Sequence, residues 1–190
     1  MHSQLKWVLL ASSLAALGGG MLTPFYAVYV ADIGGDLLAA GGTAAVFGIA
    51  TGIGIYFMGL VQDRIHRDKP VMILGSAVEC AAFLGYYFVT NVYQLFALQC
   101  VLAFAYVVYT PAYYRFYANH TEDEHAASEW GAWDAITYVA RGASALLGAY
   151  VVDRFGFDSL FLIMFGVAFV GLCLIVFALE EPAHRQAEPT

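Results

Sequence analysis

The apolar positions of this 190-residue chain run in long blocks, and its polar positions gather in short clusters between them. Residues 7–31 and 37–62 contain no Asp, Glu, Lys or Arg. Residues 70–114 contain only Glu79, and residues 159–179 again contain none. A helix needs about 20 apolar residues to cross roughly 30 Å of hydrocarbon. Thr90-Asn91 divides the longest block, so the four blocks supply five crossings. Residues 130–152, interrupted by Asp134 and Arg141, supply a sixth. The pattern predicts an all-α membrane protein with helices at about residues 5–31, 37–62, 70–90, 92–116, 129–152 and 159–179. Lys6 before an apolar run has the form of a secretory leader, but the run continues to Val30, too long for a leader's core. It is read as the first crossing.

Composition agrees with this reading. The chain is 61% hydrophobic and 12% charged, with mean hydropathy +0.69, whereas soluble domains are about half apolar and a quarter charged. Charge placement adds an orientation. With the N-terminus inside, Lys6, Arg64, Arg67, Lys69, Arg115 and Arg185 face the cytoplasm, Arg154 faces outside, and Arg141 lies within a span. Both termini are then cytoplasmic, in a plasma membrane or bacterial inner membrane. The sequon Asn119-His120-Thr121 falls on the cytoplasmic side and is discounted. Cys80, Cys100 and Cys173 fall inside spans and read as small buried apolar residues. The net charge of −7 comes largely from short loops and the tail, and no nucleic-acid partner is expected.

Two polar phrases occur twice. Thr23-Pro24-Phe25-Tyr26 is echoed by Thr110-Pro111-Ala112-Tyr113, and Asp63-Arg64…Asp68 by Asp153-Arg154…Asp158. Each Thr-Pro phrase precedes its Asp-Arg phrase by about 40 residues. The chain therefore reads as two three-helix units, residues 1–92 and 93–190. Because three is odd, the second unit enters the membrane from the opposite side, as an inverted repeat.

The segment Gly59-Leu60-Val61-Gln62-Asp63-Arg64-Ile65-His66-Arg67 resembles the signature G-x-x-x-D-R-x-G-R-[KR] between the second and third helices of the major facilitator superfamily. Gly59, Asp63, Arg64 and Arg67 match it. His66 replaces a glycine, and Asp68 stands where a basic residue is usual. Residues 142–163, GASALLGAYVVDRFGFDSLFLI, are similar to the family's passage from fifth to sixth helix. The resemblance implies one six-helix half of a fold that usually has two, related by an axis along the membrane normal. It implies secondary active transport of a small solute by alternating access, as symporter or antiporter. Two parallel copies of the chain would form the whole transporter. A non-transporting scaffold or sensor, with residues 121–124 as a contact surface, and an isolated half of a twelve-helix transporter are the alternatives.

Helices in lipid meet where small residues let backbones approach. The second helix carries Gly48 and Gly52, and the fifth carries Gly142 and Gly148. The resemblance sets these helices at the junction of halves, as the homodimer interface. By the same resemblance Asp63 approaches the partner's fifth helix around residues 129–133, and Gly59, Asp63, Arg64 and Arg67 form a cytoplasmic latch.

Ionisable groups inside spans are costly and are usually functional or paired. Glu79 and Arg141 both fall near the midplane, about 14 and 17 Å deep. They pair with each other, or Arg141 meets an anionic group or a titrating carboxylate, with Glu79 the weaker candidate for carrying protons. Asp134 lies nearer the cytoplasmic surface. Tyr26 and Tyr29 follow helical spacing on the first helix, as do Tyr106 and Tyr109 on the fourth. The resemblance puts these helices along the cavity, and Tyr26 and Tyr109 are the leading candidates. Tyr86, Tyr87, Tyr113, Tyr114 and Tyr117 suit an interfacial belt.

Enzyme classes find little support. No histidine lies in a span to serve as base beside Ser144, and the EExxxR pattern from Glu180 to Arg185 contains Pro182 and sits in a polar tail. There is no phosphate-binding Gly-Lys loop. No catalytic residue, metal site or cofactor is expected. The expected partners are lipid, a small solute, protons and a second copy of the chain.

Overall fold

The computed structural model describes residues 3–65, 67–119 and 126–180, and their regular structure is entirely helical. Met1, His2, His66, residues 120–125 and residues 181–190 lie outside this description. With them go the middle and end of the sequon, the acidic loop and nearly all of the EExxxR pattern.

Helix α1 covers Ser3–Leu22 and continues through a 3-10 turn, Thr23–Phe25, into α2, Tyr26–Asp32. The interruption follows from Pro24, which lacks an N–H and crowds the preceding turn. Thr23 Oγ1 donates to Gly19 O at 3.0 Å. Gly34, at φ +82°, ends the rod, and Gly35 N closes back on Val30 O at 2.8 Å. Asp36 then caps α3, Leu37–Ile65, accepting from Ala39 N at 2.7 Å.

Helix α4 is Asp68–Tyr86, and α5 is Val92–Ala118. The expected break at Thr90-Asn91 is made by reciprocal capping. Asn91 Oδ1 accepts from Gln94 N at 3.1 Å, and Gln94 Oε1 accepts from Thr90 N at 2.8 Å. Helix α6, Ala126–Glu180, is 55 residues long and would measure about 82 Å if straight. It is not straight. Gly156, at φ 78° and ψ 177°, breaks it into two arms.

Among the described residues, four segments are long and apolar enough to cross a membrane: Lys6–Asp32, Leu37–Ile65, Val92–Ala118 and Trp130–Leu179. Helix α4 carries Asp68, Lys69 and Glu79 in 19 residues and does not qualify on composition. The expected third helix also ends four residues earlier than predicted, at Tyr86.

Small residues set the close approaches. A Cβ on Gly148 of α6 would collide with the carbonyl of Met21 on α1, and one on Gly20 of α1 would meet Ser144 of α6. Gly75 of α4 gives way to Tyr109 of α5. Thus α1 packs on α6, α4 on α5 and α6, and α3 on α5. Two cores result. One gathers Tyr29, Tyr86 and Phe161 beside the α6 break. The other, around Tyr113, Tyr117 and Trp133, lies toward the opposite end.

At that opposite end, Trp7 meets Phe177 edge to face, Lys69 donates to Leu179 O at 3.4 Å, and Arg115 donates to Gln62 O at 2.9 Å. The start of α1, the end of α3, the start of α4 and the ends of α5 and α6 therefore lie together.

Four expectations change. Gly148 is buried within the chain against α1, so it is not an interface residue. Tyr86, Tyr113 and Tyr117 are core side chains, only 1–3% exposed, and form no surface belt. Cys80 is buried, but Cys100 and Cys173 are on the outer surface. The two Thr-Pro phrases fold differently: the first breaks the helix, whereas Pro111 sits inside a continuous α5. The Asp-Arg phrases are alike in placement: Asp63-Arg64 lies at the end of α3, and Asp153-Arg154 at the end of the first arm of α6, just before Gly156.

Candidate functional site

Every helix contributes to a cavity of about 800 Å³ in the middle of the bundle. Its polar wall begins with α1, where Gly19 and Gly20 present bare backbone. A Cβ on Gly19 would sit 3.7 Å from the Tyr106 hydroxyl, so its absence leaves space where Tyr106 reaches in from α5. Tyr26 enters just after the proline turn. Its hydroxyl donates to Thr43 Oγ1 on α3 at 2.8 Å and accepts from Gln99 Nε2 on α5 at 2.7 Å. Gln99 Nε2 also donates to Tyr86 Oη at 3.0 Å. These bonds tie α2, α3, α4 and α5 together across the cavity, with Gln99 as the shared donor.

Glu79 lies behind this wall. It is 8% exposed, does not line the cavity, and its carboxyl interacts with the Tyr106 side chain. Arg141 of α6 lies on the cavity side of Tyr106 and is exposed. Among the described residues Glu79 and Arg141 form no ion pair, and Tyr106 interacts with both. The remaining lining is mostly apolar and aromatic. It includes Phe47, which meets Tyr106 edge to face at 5.3 Å, together with Phe83 and Tyr138.

The predicted site residues therefore separate. Tyr26, Tyr106 and Arg141 line one cavity, with Glu79 one residue behind. Tyr29 does not join them. It is 2% exposed among Tyr86, Phe157 and Phe161, because α2 turns it toward the core. Tyr109 stacks on Tyr113 away from the cavity, and its buried hydroxyl has no hydrogen-bond partner among the described residues. Asp134 is exposed and outside the lining.

Gln99 and Tyr138 were missed. Gln99 precedes Tyr106 by seven residues and Tyr138 precedes Arg141 by three, so each shares a helix face with a predicted residue. That spacing was the available signal.

Of the latch residues, Gly59 is half-buried with open space at its Cα, and Asp63, Arg64 and Arg67 are exposed. Residues beside them also make contacts that close this end. Gln62 Nε2 donates to Asp68 Oδ1 at 2.6 Å, and Arg115 approaches the same oxygen at 3.8 Å while donating to Gln62 O. Gly48, Gly52 and Gly142 have open space where a Cβ would project, and Gly142 also borders the cavity.

Apolar helices of spanning length around a largely apolar cavity with a few polar groups define a multi-pass membrane protein with a central cavity. The sequence matches the Major Facilitator Superfamily over residues 8–190, and the chain belongs to that family. It is 23% identical over 182 residues to the multidrug resistance protein MdtG of Klebsiella pneumoniae, covering 94% of this chain and 44% of that protein. It is 26% identical over 189 residues to the MFS-type transporter YuxJ of Bacillus subtilis, covering 95% of this chain and 47% of that protein. The chain thus spans about half the length of these relatives. Its fold matches a crystal structure of an auto-inhibited POT family peptide transporter with a TM-score of 0.81 at 15% identity, over 100% of this chain and 39% of that one. The POT family transporter PepTSo gives 0.71, also at 15% identity, over 100% of this chain and 40% of that one.

Proposed function

We propose that the chain is one half of a secondary active transporter that moves a small solute by alternating access in a bacterial inner membrane. The cavity carries this reading. It gathers Tyr26, Tyr106 and Arg141 at the centre of a fold whose relatives are transporters. Several of its lining residues, including Tyr138, Arg141 and Gly142, are exposed in the single chain, as a half-cavity awaiting its other wall would be.

The chain crosses six times, as two inverted units, residues 1–92 and 93–190, with the two arms of α6 as the last crossings. Support comes from the shared end of the bundle. Lys69 and Arg115 meet their partners there, and Lys6 and Arg64 lie near the helix ends gathered with them. The positive-inside rule makes that end cytoplasmic. The second half is a parallel copy of the same chain, meeting it along Gly48 and Gly52 of α3 and Gly142 of α6. Asp63, Arg64 and Arg67 serve as its cytoplasmic latch. Glu79, linked to the cavity through Tyr106, is the group that answers a coupling proton, and Asp134 hydrates the cytoplasmic approach.

The test is the protein-only mass in nanodiscs at several protein-to-lipid ratios, with crosslinking of Gly52→Cys to Gly142→Cys on a second copy. A stable, crosslinkable dimer that drives solute flux in proteoliposomes is expected. A strict monomer under every condition would sink the homodimer. A second reading fits the 44–47% coverage of the relatives, in which the other half is a different six-helix segment. Flux would then appear only when that segment is supplied.

A further inference from the structure

We propose that the cavity takes a monoanionic amphiphile, with one acidic group at the end of a flat apolar body. This rests on reading the cavity as the solute site. The inference comes from sorting its polar groups by whether they are already engaged. The Tyr26 hydroxyl both donates, to Thr43, and accepts, from Gln99. The Gln99 amide nitrogen is divided between Tyr26 and Tyr86. The Tyr106 side chain interacts with Glu79 behind the wall.

The Arg141 guanidinium is different. It is exposed at the cavity, and no described side chain forms an ion pair with it. Neither Glu79 nor Asp134 belongs to the lining. Among the described residues the lining therefore contains one cation and no carboxylate. A guanidinium held deep in a membrane protein is costly until an anion reaches it. Its planar fork suits a carboxylate or phosphonate better than a point charge would.

The rest of the wall selects the body of the ligand. Phe47 and Tyr106 form an edge-to-face pair at 5.3 Å, and Phe83 and Tyr138 complete an aromatic surface. Such rings stack on a flat apolar group and offer little to a sugar or a polyol.

Three probes of matched shape test this: 2-naphthoate, 2-naphthalenemethanol and 2-naphthylmethylammonium. Equilibrium dialysis against the chain in nanodiscs, with empty nanodiscs subtracted, gives each affinity. Naphthoate is expected to saturate and to bind about tenfold or more tightly than the alcohol, the worth of one charge-assisted hydrogen-bonded contact. Arg141→Gln should bring naphthoate down to the alcohol's affinity, and Arg141→Lys should keep part of the preference. If Arg141→Gln fails to fold, the wild-type probe series and Arg141→Lys decide. Naphthoate that does not saturate, or an alcohol or ammonium that binds as tightly, overturns the proposal.

Flux of the same probes in proteoliposomes separates this inference from the transporter reading. Saturable naphthoate preference without flux supports the ligand class and counts against transport. Flux of the ammonium or alcohol without naphthoate supports transport and overturns the ligand class.

Discussion

Removing one oxygen from Tyr106 tests the central wall of the cavity. Tyr106→Phe keeps the ring, including its edge-to-face contact with Phe47, and deletes the hydroxyl that meets Glu79. The carboxyl is then left buried without that partner. A buried polar group deprived of its partner costs about 1–3 kcal/mol in water-soluble proteins. Hydrogen bonds between membrane helices are worth less, about 0.6 kcal/mol on average and up to about 1.7, because the unfolded reference in lipid also finds partners. Glu79 is buried, at 8% exposed, so the pair belongs at the upper end, at about 1–1.7 kcal/mol. A double-mutant cycle measures the coupling directly. Wild type, Tyr106→Phe, Glu79→Met and the double variant would be unfolded reversibly in mixed micelles, followed by Trp130 and Trp133 fluorescence. Tyr106→Phe should destabilise the wild-type background and have little effect beside Glu79→Met. Equal costs in both backgrounds would refute the claim that the hydroxyl acts through Glu79.

Two further variants probe the packing and the closed end. Gly148→Ala drives a Cβ into the Met21 carbonyl, backbone against helix, and should cost about 1–3 kcal/mol of stability. Gly52→Ala meets open space and should leave the thermal midpoint of the monomer unchanged or raised, while lowering the dimer fraction; unequal midpoints in the reverse order would reject this placement of the two glycines. Arg115→Met removes the donor to Gln62 O and the partner of Asp68. The ion pair is 3.8 Å long and partly exposed, so the loss should stay near 1 kcal/mol. Hydrogen exchange in the last turn of α3 should rise about fivefold, and unchanged exchange there would show that Arg115 does not hold this end.

Much of the fold was legible because its signals are local. Long charge-free runs can bury their backbone polar groups in lipid only as helices, so the blocks predicted helices directly. Thr90-Asn91 was readable because an Asn cap and its Gln partner lie within one turn. The end of α4 at Tyr86 was less so, since no proline or charge marks it in the sequence. The repeated phrases were misleading in detail. The same Thr-Pro pair breaks the chain at residue 24 and leaves it continuous at residue 111. The neighbours decide this, because α5 is held through its length against α3 and α4.

The site was legible in depth and illegible in azimuth. Counting residues from a helix end gives depth, and it put Glu79 and Arg141 at similar levels. It gives no direction around the helix axis, and that direction separates a cavity wall from a core. Tyr26 and Tyr29 differ by three positions, yet one bridges Thr43 and Gln99 while the other packs between Tyr86 and Phe161. Tyr106 and Tyr109 divide in the same way. In a soluble protein, charged residues would mark the outer face and fix the azimuth. Here the lipid-facing side is as apolar as the core, so that marker is missing. What remains is the small residue that admits a neighbour. Gly75 lets α5 close in at Tyr109 and turns that tyrosine inward, while Gly19, with no side chain, leaves Tyr106 its place in the cavity. Glycines read as partners of specific large side chains, rather than as a stripe, carry the azimuth that hydropathy lacks.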